Sequence, residues 1–424
     1  MALATGLTGT VNLSASNTNV TLTSIESLTL AAAAVGGLAV TLPASGLTTL
    51  TGDTTTAAIT VGGTAAAIAA LTTITSAAAG NNGIVFTASD TGAVTTTIGA
   101  ASASNWSVTY AAGTSLALTE AINVAATGTA ATTDSVTVTA DLNTTLATVN
   151  IENVFVTAAQ TGITLSATNV ALSTSAATGT YTMGAATTSA TLTGTGAATF
   201  TDGTTNLAQT FTNSGTGLMT VNLAANTAAD TIVNSSTGRV TVNQAASTGV
   251  TTVTLSANNG VDNINYADAG AGKVAVGSTT AANRVVATGF NWNQDTITLD
   301  TFQTTVGTAA GAPVTVQVVS AAGATLLSSA TRDITIFNFD FGGAVEVLAG
   351  DLTGGAFLAN VGGAITSAAS TDDMYIAAFD NSLWYLYAGT NLTSGGVVAA
   401  DLALIGIYNG ALNDVGVSDF ILAS

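Results

Sequence analysis

The feature that most constrains the fold is an internal repeat of short segments in which apolar residues alternate with Thr, Ser or Asn. Leu218–Asn234 aligns with Val250–Tyr266, which places Asp230 opposite Asp262. A weaker third copy of the repeat brings Asp295 into the same register. Each unit contains several strands that are too short to bury an apolar face alone, so neighbouring units must stack. The repeat therefore predicts the coils of a parallel β-solenoid.

Short strand-like segments dominate the rest of the chain as well. VNLSA, NVTLT, SVTVTA, RVTVN and TVTLS are examples, and Gly or Asn follows many such segments. β-Branched residues favour strands, and alternation with polar residues is typical of strands that bury one face. Capped segments with helical periodicity are scarce. The sequence thus predicts an all-β protein.

A second internal similarity in the sequence divides the chain into regions. The segment IESLTL resembles IENVFV far downstream, which predicts solenoid on both sides of an intervening stretch. We expect an N-terminal β-solenoid over residues 1–59 and a β-solenoid with degenerate repeats over residues 143–289. Residues 60–142 are either an inserted immunoglobulin-like β-sandwich or irregular solenoid. Fourteen of the 22 aromatic residues lie in residues 290–424, which predicts a C-terminal β-rich domain with its own core.

The composition excludes several classes of function. The chain has no His and no Cys, which excludes a Ser–His–Asp triad, a thiolate nucleophile and a Cys/His zinc site. Four basic residues among 424 cannot form the basic stripe that nucleic-acid binding requires. The longest apolar stretch, Leu28–Leu42, is interrupted by Thr and Gly and is too short for a membrane-spanning helix. We therefore expect no enzyme, no nucleic-acid partner and no membrane insertion.

The only ligand-like pattern is an Asp that begins a strand-like segment in each repeat. Carboxylate, amide and carbonyl oxygens are the ligands that Ca²⁺ prefers. The candidate ligands are Asp230, Asp262, Asp295, Asn226, Asn258, Gly260 and Asp300. An alternative needs no metal, because Asp and Asn also accept backbone hydrogen bonds at the ends of strands. With 23 acidic and four basic residues, most carboxylates lack a basic partner, which favours Ca²⁺ as a cofactor.

The segment ANNGVDNINY resembles the calcium-binding nonapeptide of RTX proteins, although only Gly260 keeps its place among the expected glycines. Together with IENVFV, GFNWNQDTITL and the C-terminal segment that ends in DFILAS, it resembles the type I-secreted, RTX-related S-layer proteins of Gram-negative bacteria. The resemblance implies an extracellular, cell-surface protein that a type I exporter recognises by a C-terminal signal. It also implies calcium-triggered folding, assembly into a homo-oligomeric lattice, and contact with cell-surface polysaccharide or lipopolysaccharide.

Three functions fit these observations. The first is a structural surface protein that self-assembles into an S-layer-like extracellular lattice, with Ca²⁺ between acidic subunits. The second is a subunit of an extracellular filament, because the open ends of a solenoid expose unpaired strand edges. The third is a cell-surface adhesin whose solenoid forms a stalk. The sequence favours the lattice and does not separate planar from helical symmetry.

Overall fold

The computed structural model of the chain has two compact units, unit 1 (Met1–Gly203) and unit 2 (Thr204–Ser424). In residues 1–177 the structure describes the strands alone. Further along, it describes residues 178–183, 186–203, 207–224, 228–244, 249–256, 260–266, 284–299, 315–323, 325–327, 333–362, 365–367, 372–392 and 396–422.

The described part of unit 1 is built from short strands. They are β1 (Thr8–Val11), β2 (Asn19–Thr21), β3 (Ser27–Leu30), β4 (Leu38–Thr41), β5 (Thr49–Thr51), β6 (Ile59–Gly63), β7 (Thr73–Ser76), β8 (Asn81–Phe86), β9 (Val94–Ala100), β10 (Asn105–Thr109), β11 (Thr114–Leu118), β12 (Asn123–Thr127), β13 (Ser135–Val138), β14 (Thr145–Val149), β15 (Asn153–Val156), β16 (Ile163–Thr174), β17 (Thr178–Thr182), β18 (Ala186–Leu192) and β19 (Ala197–Thr201).

Up to β15, the strands of unit 1 pair in parallel with the strand two places along the chain. One run of neighbours is β1, β3, β5 and β7, and a second run is β2, β4, β6 and β8. The strands from β9 to β15 continue both runs. Parallel strands cannot be joined by a tight hairpin, so a longer connection, which here contains one further strand, separates each pair of neighbours along the chain.

The same pairing extends through residues 60–142, where β6 to β13 lie. Their described partners are all parallel. An immunoglobulin-like sandwich is made of antiparallel strands, whereas each pairing described for these strands is parallel. Alternation of Thr with apolar residues reports which face of a strand is buried and carries no information on strand direction, so the sequence left both alternatives for this stretch open.

Unit 2 contains further strands and one α-helix among its described residues. The strands are β20 (Thr210–Asn213), β21 (Leu218–Asn222), β22 (Thr231–Asn234), β23 (Arg239–Asn243), β24 (Thr251–Thr254), β25 (Asn263–Asn265), β26 (Val285–Thr288), β27 (Thr296–Leu299), β28 (Val316–Val319), β29 (Thr325–Leu327), β30 (Ile334–Phe337), β31 (Ile365–Ser367), β32 (Asp372–Asp380), β33 (Leu383–Leu392), β34 (Leu402–Asn409) and β35 (Phe420–Leu422). The helix is α1 (Gly355–Asn360), and single 3-10 turns lie at Ala399–Asp401 and Val417–Asp419.

The first eight strands of unit 2 form two parallel ladders. We call β20, β22, β24 and β26 the even ladder, and β21, β23, β25 and β27 the odd ladder. Apolar side chains stack in register and are buried, as in the column Phe211, Ile232 and Val253. The alternation of buried and more exposed residues along each strand is the pattern that the sequence predicted.

The repeat length at the start of these ladders is shorter than the one that we read from the sequence. On the even ladder Thr231 pairs with Thr210 before it and with Thr252 after it. The alignment of Asp230 with Asp262 instead matched β22 of the even ladder with β25 of the odd ladder, which are not paired. The alignment of Asp262 with Asp295 was correct, because the next residues, Asn263 and Thr296, pair.

The turns that connect the two ladders contain buried Asn side chains. Asn213 ends β20 and Asn234 ends β22, in the related segments NSGTG and NSSTG. The Nδ2 of Asn213 donates to Gly217 O at 3.0 Å, and the Nδ2 of Asn234 donates to Gly238 O at 2.8 Å. Each amide therefore closes its own turn from inside.

The C-terminal part of unit 2 contains an antiparallel meander and is rich in aromatic residues. β32, β33 and β34 form a meander, and the two-residue turn between β32 and β33 has Asn381 and Ser382 at positive φ. Phe337, Phe357 and Tyr387 belong to its buried core. β34 pairs in parallel with β26, and β35 with β27, so both ladders continue into this region.

The all-β class predicted from the sequence is confirmed, since strands account for nearly all regular structure in the described residues. In the part of the chain that the structure describes, no helix is long and apolar enough to cross a membrane.

Candidate functional site

Three of the predicted ligands share one position in the fold. Asp230, Asp262 and Asp295 each immediately precede a strand, at the start of β22, β25 and β27. All three are buried, with 2 to 4% of their surface exposed. The predicted ligands Asn226, Asn258 and Asp300 lie outside the described residues.

Asp262 and Asp295 are stacked on neighbouring strands of the odd ladder. The backbone N–H of Asp262 donates to Oδ1 of Asp295 at 2.9 Å. The other oxygen of Asp295, Oδ2, accepts the backbone N–H of Asn291 at 2.8 Å. Burial raises the pKa of Asp295, whereas the two backbone donors lower it.

Asp262 has the most strongly shifted carboxyl group of the three. Its Oδ1 accepts the backbone N–H of Val240 at 2.6 Å, and Asn234 Nδ2 approaches its two oxygens at 3.3 and 3.4 Å. Burial raises the pKa of Asp262 to about 7, and the charge of Asp295 adds to the rise. The hydrogen bonds from Val240 and Asn234 and the charge of Arg239 act in the opposite direction. This pair of carboxylates therefore carries a real cost of burial at neutral pH.

Asp230 makes the same kind of contact on the other ladder. The backbone N–H of Gln209, which lies opposite it on the preceding strand, donates to Asp230 Oδ1 at 2.9 Å. Burial raises the pKa of Asp230 and this hydrogen bond lowers it. Because β22 pairs with β20 and β24, and β25 pairs with β23 and β27, Asp230 does not belong to the stack of Asp262 and Asp295.

Gly260 has a structural role that the sequence did not suggest. Its φ lies outside the left-handed region that favours glycine, so the backbone conformation alone does not require a glycine there. The aliphatic stem of Arg239 passes over it, and a Cβ at Gly260 would lie 2.6 Å from Arg239 Cγ. Gly260 therefore makes room for the side chain that brings a positive charge near Asp262.

Sequence reasoning missed a fourth Asp of this kind. Asp333 precedes β30 and is buried, and its Oδ2 accepts the backbone N–H and the hydroxyl of Thr315 at 2.8 and 2.7 Å. Its Oδ1 is buried without a hydrogen-bond partner among the described residues. The signal was present in the sequence, because DITI at Asp333 matches the DTIV, DNIN and DTIT segments that begin at the other three.

The arrangement is chemically a set of strand caps. In each case a carboxylate at the start of one strand accepts the backbone N–H directly opposite on the preceding strand, which would otherwise be a buried unpaired donor. Within the described residues, no group of three or more acidic side chains lies close enough to hold a metal ion. Asp262 and Asp295 are the predicted ligands that the structure brings into contact, through the backbone N–H of Asp262 and Oδ1 of Asp295. Comparisons with protein-family models, curated proteins and solved structures find no match to the chain.

Proposed function

We propose that the chain is a structural, non-catalytic protein whose strands wind into a parallel β-solenoid. The observation that carries this proposal is the parallel, in-register pairing of alternate strands in both units. Two strands per coil, each hydrogen-bonded to the coils before and after it, would produce this pairing. The buried caps at Asp230, Asp262 and Asp295 support it, because each joins the start of one strand to the neighbouring strand before it in the same ladder.

We propose further that copies of the chain assemble into an S-layer-like extracellular lattice. Each of β28 and β35 has one partner among the described strands, β30 and β27 respectively, and in this proposal their other edges pair with another copy. Only 6% of the residues are charged, so close contact between copies requires little desolvation of charge. The same edges favour a filament as the second candidate, if addition proceeds along one direction. An adhesin would instead remain a discrete particle.

Calcium dependence, export and surface attachment complete the proposal. The formal net charge of −19 and the buried pair Asp262 and Asp295 support a need for cations at neutral pH. A type I exporter and a cell-surface polysaccharide or lipopolysaccharide remain the partners expected from the resemblance to S-layer proteins.

Electron microscopy of the purified full-length chain, with added Ca²⁺ and with excess chelator, tests the function. We expect planar arrays with Ca²⁺ and their loss on chelation. Helical fibres would favour the filament, and monomers under both conditions at high protein concentration would overturn assembly altogether.

A variant pair locates the metal. If Asp262 and Asp295 bind Ca²⁺, the melting temperature of the wild-type chain should rise with Ca²⁺ by mass action. The double variant Asp262→Asn/Asp295→Asn should lose that rise, whereas Asp401→Asn, at a half-buried position, should keep it. An unchanged melting temperature of the wild type in Ca²⁺ and chelator would assign these residues to strand capping alone.

A further inference from the structure

The outward face of the even ladder carries two straight columns made only of Thr and Val. We call these eight positions the threonine array. They alternate with the buried column Phe211, Ile232, Val253 and Ala287, and every one of them is exposed or half-buried. In register, the first column is Thr210, Thr231, Thr252 and Val286, and the second is Thr212, Val233, Thr254 and Thr288.

The geometry of the sheet fixes the spacing of the array. Neighbouring positions within a column are about 4.8 Å apart, and the two columns are about 6.6 Å apart along the strands. Thr and Val are both branched at Cβ and have restricted χ1 rotamers. The array is therefore a rigid two-dimensional repeat of methyl and hydroxyl groups that loses little conformational entropy on binding.

The register of four strands in unit 1 repeats this Thr-rich sequence pattern. The strands β1, β3, β5 and β7 place Thr or Ser at every corresponding register position. The columns are Thr8, Ser27, Thr49 and Thr73, and Thr10, Thr29, Thr51 and Thr75. The same repeat of Thr in register thus occurs in a second part of the chain.

The chemistry of the array excludes the usual ligands. It contains no charged residue for a phosphate or a nucleic acid, and no aromatic residue on which a sugar or a protein hot spot could stack. It is a ladder face and not a concave pocket, which small-molecule binding favours. What it does offer is repetition, so its ligand must itself repeat in two dimensions with similar spacing.

We propose that the threonine array binds the surface of ice. Rows of water oxygens in ice repeat at distances close to those of the array in both directions. The Thr hydroxyls can donate to and accept from those waters, while the γ-methyl groups lie in the gaps between rows. Val233 and Val286 fit this scheme, because Val has the shape of Thr and supplies the same methyl group.

The odd ladder provides an internal control surface. On its outward face, Asn243 Nδ2 donates to Asn222 Oδ1 at 2.6 Å, and Asn265 Nδ2 donates to Asn243 Oδ1 at 2.9 Å. The amide groups of these longer side chains hydrogen-bond to one another, so this face does not present a regular repeat of hydroxyl and methyl groups. Thr241, on β23, lies on this face.

The test measures the fraction of full-length protein that is incorporated into a slowly growing ice front, alongside inhibition of ice recrystallisation. We expect the wild-type chain to enter the ice, and the variant Thr252→Lys/Thr254→Lys, which places a charge in each column of the array, to be excluded. Thr241→Lys should behave as the wild type. Thr254→Val should retain binding, which separates loss of the array from loss of folding, and melting curves of each variant check the fold.

Two results would overturn the proposal. One is a wild-type chain that is excluded from ice like an ordinary soluble protein. The other is a double Lys variant that folds and is incorporated as well as the wild type. Because assembly with Ca²⁺ is measured above freezing, neither result bears on the proposed lattice.

Discussion

In the ladders of unit 2 each strand buries every second residue, whereas almost every residue of β32 to β34 whose burial is described is buried. In the ladders, buried apolar side chains stack in register, and buried Asn and Asp side chains bind the backbone next to the strand ends. In the C-terminal region, aromatic rings from distant parts of the sequence pack together, as Phe337 and Phe357 do at a centroid distance of 5.0 Å. The first kind of stability accumulates from neighbour to neighbour, and the second depends on one shared core.

The largest effect that we expect is from a substitution in the shared core. Phe357 is fully buried and also stacks on Tyr387, with ring centroids 5.6 Å apart. Phe357→Ala should lower the free energy of unfolding by about 3–5 kcal/mol through lost contacts and a cavity. Chemical denaturation followed by tryptophan fluorescence measures it, and Val345→Ala, at an exposed site, is the control. A loss below about 1 kcal/mol would contradict a shared aromatic core.

The second-largest loss of stability is expected where two backbone segments of the ladders come close together. Gly289 follows β26 at φ 76°, and a Cβ there would overlap the carbonyl oxygen of Leu255. Gly289→Ala should therefore cost about 2–4 kcal/mol, from both the left-handed backbone and the overlap. Gly343→Ala isolates the first cause, because Gly343 has φ 62° with no atom within 4 Å of the added Cβ. Equal losses in the two variants would show that the ladders are not tightly stacked at this point.

The ladders should also respond to pH. A carboxyl group whose pKa is raised in the folded state stabilises the fold most below its unfolded pKa, and that contribution is lost as pH rises through the folded value. For Asp262, with a folded pKa of about 7, the melting temperature should fall between about pH 4 and pH 8. Asp262→Asn should flatten this profile, and Asp401→Asn, which changes the net charge equally, should not. If the melting temperature of the wild type rose over this pH range, the buried position of Asp262 would be refuted.

The smallest effect tests the outward side of the odd ladder. Asn243 bridges Asn222 and Asn265 by side-chain hydrogen bonds, and all three are half-buried. Asn243→Ala should cost about 1 kcal/mol, because water replaces the lost partners in part. Thr241→Ala, on the same strand and face, is the matched control in thermal melting. If Asn243→Ala lowered the stability as much as Phe357→Ala, the ladders and the aromatic core would not differ in the way described above.

The strands themselves could be predicted from the sequence. RVTVN became β23, and the alternation of buried and exposed residues follows the sequence pattern. The repeat length could not be obtained from that alternation, because strands of the even and odd ladders share it. The sequence alignment therefore matched Ile232 to Ile264 across two different ladders. The segments NSGTG and NSSTG contained the correct spacing, because their first residues, Asn213 and Asn234, are paired.

The candidate site was predicted in position but not in its local chemistry. Asp230, Asp262 and Asp295 do begin strands, as the sequence indicated. Their hydrogen bonds to backbone N–H groups come from the neighbouring strand of the ladder, as from Gln209 to Asp230, 21 residues apart, and a local pattern cannot report them. Whether the stacked pair on the odd ladder also binds Ca²⁺ stays a prediction.

The position of Arg239 has a consequence for proteolysis. It is the first basic residue in the chain, and it lies in β23, which has the paired strands β21 and β25 on its two sides. Trypsin binds its substrate as an extended segment, so it can cut after Arg239 only when this strand leaves the ladder. A single early cut would release an N-terminal fragment that ends at Arg239 and contains no further tryptic site. The rate at which that fragment forms therefore measures how often β23 separates from β21 and β25.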